Sequence, residues 1–130
     1  MPPASVRQPS DYSNGQNLPE GALEKAEAWD PGAMLAEIKM DLEASRYLAY
    51  NLAWKKDQNE WIGLDAAIAK TFITEAFERS AQKAVQIFGG NGCMREYPIG
   101  RSLWAGKMAT IGGGTSQIQR TIIGRMLTGL

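Results

Sequence analysis

Two long segments with helical periodicity constrain the fold of this chain more than any other feature of its sequence. From Met34 to Lys56, apolar residues recur at steps of three and four, and charged residues occupy the other faces. A helix of this length would reach ~35 Å, far longer than an average globular helix. A second segment of this kind runs from about Asp65 to Phe88. No segment alternates with a period of two, so the sequence predicts an all-α fold, an up-and-down helical bundle.

The second predicted helix carries two adjoining ridges of small or apolar residues, each with a spacing of four. One ridge contains Leu64, Ile68, Phe72, Ala76, Ser80, Ala84 and Phe88, and the other contains Ala69, Ile73, Phe77, Ala81 and Val85. Two such ridges make a face wide enough to pack against two helices at once, and the small residues allow a close approach. Gly89 and Gly90 end the helix, as glycines do at helix C-termini.

Glycines divide the C-terminal third of the chain. The stretch 89–98 is rich in glycine and turn formers, so we expect a tight loop there. A short helix is expected from about Arg101 to Ile111, before a triple glycine. Ser116-x-x-Gln119 matches a capping box at the start of the last helix, and Thr115 is a competing cap.

The N-terminal segment has a different composition from the rest of the chain. Residues 1–33 contain five of the six prolines and show no sustained apolar period. We predict that this segment is mostly irregular, although Ala22–Trp29 has the length of two helical turns. The folded bundle is therefore expected over 34–130.

Composition excludes several classes of function. The chain has 14 Lys and Arg against 14 Asp and Glu, one cysteine and no histidine. Ser-His-Asp and Cys-His catalysis and imidazole-ligated zinc are excluded, and we predict no metal site. Balanced charge argues against nucleic-acid partners, which are bound through an excess of Lys and Arg. A single cysteine favours a reducing compartment, and neither a membrane span nor a signal peptide is evident, so we expect a cytoplasmic location.

Two glycine-rich turns lie next to predicted helix ends, at 89–92 and 112–114. A helix N-terminus presents unpaired N–H groups and a partial positive charge, so a pyrophosphate can settle there if no Cβ blocks its approach. The dinucleotide fingerprint and the phosphate-loop motif are both absent. On spacing alone, ordinary chain reversal is the commoner explanation for glycines at helix ends.

Three further groups of residues are less specific. Cys93 has neither a histidine nor a second cysteine nearby, so we interpret it as a small filler residue. Arg95, Glu96 and Arg101 are expected to form an ion-pair network that holds the loop. Aromatic residues at helical spacing are expected in the core or at an interface. They are Tyr47, Tyr50, Trp54, Trp61, Tyr97 and Trp104.

The C-terminal half of the chain resembles the acyl-CoA dehydrogenase family. The matching residues are Gln86-Ile-Phe-Gly-Gly-Asn-Gly92, Arg95-Glu-Tyr-Pro-Ile99, Arg101, Lys107 and Gly114-Thr-Ser-Gln-Ile-Gln-Arg120, followed by Ile122, Ile123 and Arg125. Their order and spacing agree over about forty-five residues. The helix over 34–57, with Met-x-Leu-Glu-Ala-x-Arg at 40–46, also resembles a helix of the family's C-terminal bundle.

The resemblance implies a fold, a reaction and a set of binding residues. Members of the family oxidise an acyl-CoA thioester to its 2,3-enoyl form, as in fatty acid β-oxidation, with hydride transfer to FAD. It therefore implies a bundle like the family's C-terminal domain, an FAD cofactor, an acyl-CoA substrate and an oligomer. If the family's roles are transferred to the matching motif positions, three residues would contact the adenosine-pyrophosphate end of FAD bound mainly to a neighbouring subunit: Gln86, Gly89 and Gly90. Thr115 and Gln117 would meet the FAD of the subunit's own site.

Two positions depart from the family pattern. In many members a glutamate immediately before Gly-Thr removes the α-proton, but Gly113 occupies that position here, so no catalytic residue is assigned to this chain. Some branches of the family carry glycine there and either place the carboxylate on another helix or act as the inactive half of a hetero-oligomer. The family's Arg-Asp before Ala-Lys is replaced by Trp104 and Ala105, which removes charges from the region.

The length of the chain leaves three hypotheses open. Residues 1–33 are too few to hold the family's N-terminal helical domain and middle β-domain, and one long bundle helix also has no counterpart. The first hypothesis is a C-terminal part of an acyl-CoA dehydrogenase that works with other domains or with a larger subunit. The second is a non-catalytic helical oligomerisation module, and the third is a truncated reading frame without a function of its own. An exposed apolar face is expected to cause dimerisation or pairing with a larger subunit.

Overall fold

The computed structural model describes residues 30–129, and helices account for most of that range. The elements are α1 (Pro31–Asp57), α2 (Gly63–Phe88), a 3₁₀ helix (Gly89–Cys93), α3 (Ile99–Ile111) and α4 (Ser116–Thr128). No strand occurs among the described residues, so the all-α prediction is confirmed. The predictions for residues 1–29, including the two turns over Ala22–Trp29, lie outside the described residues. Within residues 30–129, no helix combines the length and the apolarity needed to cross a membrane.

The first helix begins three residues before the expected boundary at 33/34. It starts at Pro31, whose fixed φ angle and missing N–H suit the first position of a helix. The helix then continues without a break to Asp57, close to the predicted end. None of its residues is buried within the described part of the chain.

The central element is α2, against which the other three α-helices and the 3₁₀ helix all pack. Its buried residues are small: Ala67, Ala69, Thr71, Ala76 and Ala81. Where α3 crosses α2, a Cβ added to Gly106 would lie 3.0 Å from the Cα of Glu78. The prediction of a wide face with small residues is confirmed, because α2 contacts helices on several sides at short range.

Ion pairs join each outer helix to α2. From α1 they are Glu37–Lys83 at 2.6 Å and Asp41–Arg79 at 2.8 Å; from α3 and α4 they are Lys107–Glu78 at 3.2 Å and Arg120–Glu75 at 2.7 Å. All four pairs are partly exposed, so each contributes little to the free energy of folding. Their main effect is to favour one rotational setting of each helix against α2.

The segment after α2 differs from the expected loop. Residues 89–93 form a 3₁₀ helix in which Gly92 is buried. Gly92 packs so closely against α2 that an added Cβ would lie 2.7 Å from the Val85 carbonyl oxygen. The following helix begins at Ile99, directly after Pro98, rather than at Arg101. Cys93 is exposed, so its interpretation as a filler residue is wrong.

The charged and aromatic side chains near this segment also differ from expectation. Within the described residues, no ion pair joins Arg95, Glu96 and Arg101. The aromatic side chains do not form a core either. Tyr47, Tyr50, Trp54, Trp61 and Trp104 are each more than half exposed. Of the two expected places for these residues, only an interface is compatible with that exposure.

Candidate functional site

The turn between α3 and α4 is held by two long side chains. Gly113 and Gly114 both have positive φ angles, 67° and 97°, a backbone conformation that favours glycine. Lys70 on α2 donates a hydrogen bond from Nζ to the Gly114 carbonyl oxygen at 2.5 Å. Gln119 on α4 donates from Nε2 to the Gly113 carbonyl oxygen at 3.1 Å. The shape of the turn is therefore fixed from two helices.

The residue that caps α4 is Thr115. Its hydroxyl oxygen accepts a hydrogen bond from the Ile118 N–H at 3.3 Å, and its backbone is extended. The capping box that begins at Ser116 is wrong, because Ser116 is already helical and buried, and Gln119 bonds to Gly113 instead. Thr115 thus marks the start of the helix, and Gln117 is exposed in its first turn.

A polar cavity of about 490 Å³ lies beside this turn, between α2, α3 and α4. Thr115 and Gln117 both line it, as do Glu75, Glu78 and Lys107. A hydrogen bond from Arg120 is the largest cause that holds the pKa of Glu75 below its ordinary value. The same contact raises the pKa of Arg120. A carboxylate stabilised in its charged form is a weak proton acceptor, so Glu75 is poorly suited to replace the base that Gly113 lacks.

The second predicted group lies at the end of α2. Gln86, Gly89 and Gly90 are exposed, and a Cβ added to either glycine would have no neighbour within 4 Å. The main chain at this end of α2 is therefore open to approach by a ligand. Gly89 also has a positive φ angle of 57°.

The two groups lie far apart. Lys70 places the turn before α4 beside the first third of α2, whereas Gly89 follows the last residue of that helix. At 1.5 Å per residue, the path from Lys70 to Phe88 along α2 is about 27 Å. The structure therefore brings Thr115 and Gln117 together but separates them from Gln86, Gly89 and Gly90.

Gly113 is the position at which the family resemblance implies a catalytic glutamate in many members. A Cβ added there would have no neighbour within 4 Å, so the space around the position is open. Among the described residues, no cluster of three acidic, histidine or cysteine side chains is arranged to hold a metal ion. The predicted binding residues are backbone groups and amide or hydroxyl side chains, and charged side chains line the cavity beside Thr115 and Gln117.

The sequence profile of the acyl-CoA dehydrogenase C-terminal domain matches residues 32–128. The chain belongs to the acyl-CoA dehydrogenase family. A probable acyl-CoA dehydrogenase of Bacillus subtilis, YngJ, is 42% identical over 93 residues, which are 72% of this chain and 24% of that protein. The butyryl-CoA dehydrogenase structure from Megasphaera elsdenii superposes with a TM-score of 0.72 at 34% identity, and the match covers 91% of this chain and 30% of that one.

A third similar structure is the FAD complex of PigA, with a TM-score of 0.72 at 28% identity over 91% of this chain and 30% of that chain. This chain of the acyl-CoA dehydrogenase family thus spans about a quarter to a third of the length of the relatives it matches. The bundle is shared with these proteins, and the family assignment rests on most of the described residues.

Proposed function

We propose that this chain is the C-terminal part of an FAD-dependent acyl-CoA dehydrogenase. It would take part in the 2,3-dehydrogenation of acyl-CoA thioesters only together with other domains or subunits. The observation that carries the proposal is the open main chain at Gly89 and Gly90, where no atom lies within 4 Å of an added Cβ. The FAD complex of PigA, a similar structure, supports the choice of cofactor.

The residues of this chain fit the cofactor at two places. Thr115 and Gln117 would contact FAD of the chain's own site at the N-terminal turn of α4, where the partial positive charge favours a phosphate. Gln86, Gly89 and Gly90 would contact FAD held mainly by a neighbouring subunit. When bound, FAD supplies the hydride acceptor for β-oxidation of the acyl chain.

The residue that removes the α-proton must come from elsewhere in the assembly. Gly113 has no side chain that accepts a proton, and the nearby Glu75 carboxylate is paired with Arg120. The chain's own contribution is then to bind and orient the cofactor, and to leave open space beside Gly113 for the reacting groups. A larger acyl-CoA dehydrogenase subunit would supply the carboxylate.

The test is flavin retention by the purified full chain, alone and mixed with a full-length acyl-CoA dehydrogenase. The informative variant is Gly90→Val, because the chain itself leaves the space open and the φ angle of Gly90 is not positive. We expect an unchanged thermal midpoint and a loss of flavin absorbance. A matched control is Gln58→Val on the exposed α1–α2 turn, which should retain flavin. The proposal fails if the chain alone retains no flavin and the mixture shows no more bound flavin or acyl-CoA oxidation than the full-length protein alone.

A second candidate function is a non-catalytic helical oligomerisation module descended from such an enzyme. The absence of a side chain at Gly113 favours this candidate. Light scattering that shows a stable homo-oligomer, with the same mass with and without FAD, would support it. An obligate complex with a larger flavoprotein would argue against it.

A further inference from the structure

A second cavity, of about 540 Å³, lies between the end of α2, the 3₁₀ helix and the first turns of α3. Its walls are mainly apolar, and Met94 and Leu103 contribute to them. A volume of this size is in the range of pockets that bind small molecules. The residues proposed to contact FAD, Gln86, Gly89 and Gly90, are not among the described residues that line it. The cavity is therefore separate from the proposed cofactor contacts.

Part of the cavity wall is closely packed main chain. Gly92 and Gly100 both line the cavity, and a Cβ added to Gly100 would lie 3.0 Å from the Gly92 carbonyl oxygen. The Tyr97 N–H donates a hydrogen bond to the Met94 carbonyl oxygen at 3.3 Å. The Tyr97 ring also meets the Phe88 ring of α2 edge-on, with the centroids 5.9 Å apart. These contacts form the cavity in advance, so a ligand does not have to order it.

The cavity carries positive charge that the described residues do not neutralise. Arg95 and Arg101 line it, and neither guanidinium makes an ion pair within residues 30–129. None of the described lining residues is acidic. In the polar cavity beside α4, by contrast, Lys107 and Arg120 are each paired with a glutamate. Because a guanidinium presents a fork of N–H donors that matches a carboxylate or a phosphate, the second cavity favours an anion.

Trp104 gives this cavity an apolar wall in place of a charge. It stands where the family pattern has the arginine of Arg-Asp, and it lines the cavity with an indole that is 74% exposed. Covering an exposed indole removes apolar surface from water, so the wall favours a ligand with an apolar body.

We propose that this cavity binds a small amphipathic anion. Its apolar chain lies against Trp104 and Leu103, and its carboxylate or phosphate lies between Arg95 and Arg101. Both parts of the ligand are needed, because an exposed guanidinium alone binds a small anion weakly in competition with water. The binding is non-covalent and does not involve flavin.

The experiment is a titration of the full chain without flavin, followed by two-dimensional NMR of the amide groups of Gly92 and Gly100. Octanoate is the probe, and octanol, octylammonium and acetate each lack one feature of it. We expect octanoate to bind with a Kd about tenfold or more below those of the other three. Octyl phosphate distinguishes the two head groups: tighter binding than octanoate identifies a phosphate, and weaker binding a carboxylate.

Substitutions separate the charged wall from the apolar wall. Arg95→Gln and Arg101→Gln should each raise the Kd of octanoate about fivefold or more. Their matched control is Arg125→Gln on α4, an exposed arginine outside the cavity that also makes no ion pair within the described residues. Trp104→Ser should weaken octanoate binding by a similar factor, whereas Trp54→Ser, at an exposed tryptophan of α1, should not.

The single cysteine of the chain provides a second readout in the unchanged sequence. Cys93 is exposed and lines the cavity, so bound octanoate should slow its alkylation by iodoacetamide, whereas octylammonium should not. Three results would overturn the proposal. They are octanol binding as tightly as octanoate, which would indicate an apolar patch for a protein surface, unchanged affinity in both arginine variants, and alkylation of Cys93 at full rate in saturating octanoate. These readouts do not depend on flavin, so they are separate from the test of the proposed function.

Discussion

At the scale of single residues, Lys70 links two distant segments of the chain. Its side chain spans from α2 to a carbonyl oxygen 44 residues later in the sequence, and so fixes the turn from which Thr115 and Gln117 project. The other support, Gln119 on α4, donates a hydrogen bond to the preceding carbonyl oxygen, that of Gly113. The two bonds hold two consecutive residues with positive φ angles, a conformation that costs energy for any residue other than glycine.

The two glycines of this turn should respond differently to alanine. Gly114→Ala combines a positive φ angle with a Cβ placed 2.9 Å from the Gln119 Nε2, whereas Gly113→Ala has the positive φ angle and open space. We expect Gly113→Ala to lower the free energy of unfolding by about 1 kcal/mol and Gly114→Ala by about 2–3 kcal/mol. Urea unfolding of both variants measures the difference. Equal losses would show that the Gln119 contact is not tight.

The ion pair between Glu75 and Arg120 should make stability depend on acid pH. The pKa of Glu75 is lowered in the folded chain, so its contribution is complete above the unfolded value of about 4.3 and is lost as the pH falls through the folded value. Glu75→Gln should therefore flatten the loss of stability between pH 5 and pH 3. Urea midpoints across this range check the effect.

The control for that experiment is Glu43→Gln. The pKa of Glu43 is also lowered, first by its hydrogen bond from Lys39, but both residues lie within α1. A pair four residues apart depends less on tertiary structure than one between two helices, so its removal should flatten the pH dependence less. A larger effect at Glu43 than at Glu75 would contradict this explanation.

The sequence predicts some residues of the site but not their supports. Thr115 and Gln117 stand in a short local motif, so the family resemblance identifies them as candidates. Lys70 carries no such signal, because its partner is a main-chain carbonyl brought near only by the fold. Gln119 is noticed for a capping box, yet its amide reaches the turn before the cap. Local patterns give candidate binding residues, whereas contacts between distant segments require the structure.

At the scale of elements, periodicity predicts the long helices well and their junctions poorly. The ends of α2 agree with prediction to within two residues, because its apolar ridges continue through the whole helix. The segment after it is helical despite three glycines in residues 89–93, since packing against α2 overrides the weak helix propensity of glycine. Short elements depend on such packing, and a single sequence does not show it.

The same substitution should have opposite effects in α3 and α4. A Cβ at Gly106 would lie 3.0 Å from the Glu78 main chain, whereas one at Gly124 would have no neighbour within 4 Å. We expect Gly124→Ala to raise the free energy of unfolding by about 0.5–1 kcal/mol through helix propensity. Gly106→Ala should lower it by about 1–2 kcal/mol, because α3 must move away from α2. Thermal unfolding of the two variants gives the sign, and stabilisation of both would mean that α3 moves at no cost.

At the scale of the whole molecule, the exposed aromatic residues are where sequence and structure diverge most. A pattern of apolar residues on α1 shows that surface must be buried, but it does not say whether the cover belongs to the same chain. The structure resolves part of that ambiguity, since the described helices leave Tyr47, Tyr50 and Trp54 of α1 exposed.

The small buried residues of α2 limit which substitutions the bundle tolerates. Methyl groups and main chain cannot swing aside, so α2 has no means of accommodating a larger neighbour except by separating whole helices. Libraries randomised at Ala69, Ala76 and Ala81 should yield folded clones restricted to glycine, alanine, serine and cysteine. Exposed positions of α1 should tolerate a wider range of side chains, and substitutions there should affect only contacts with another surface. The bundle therefore tolerates the fewest substitutions where its buried side chains are smallest.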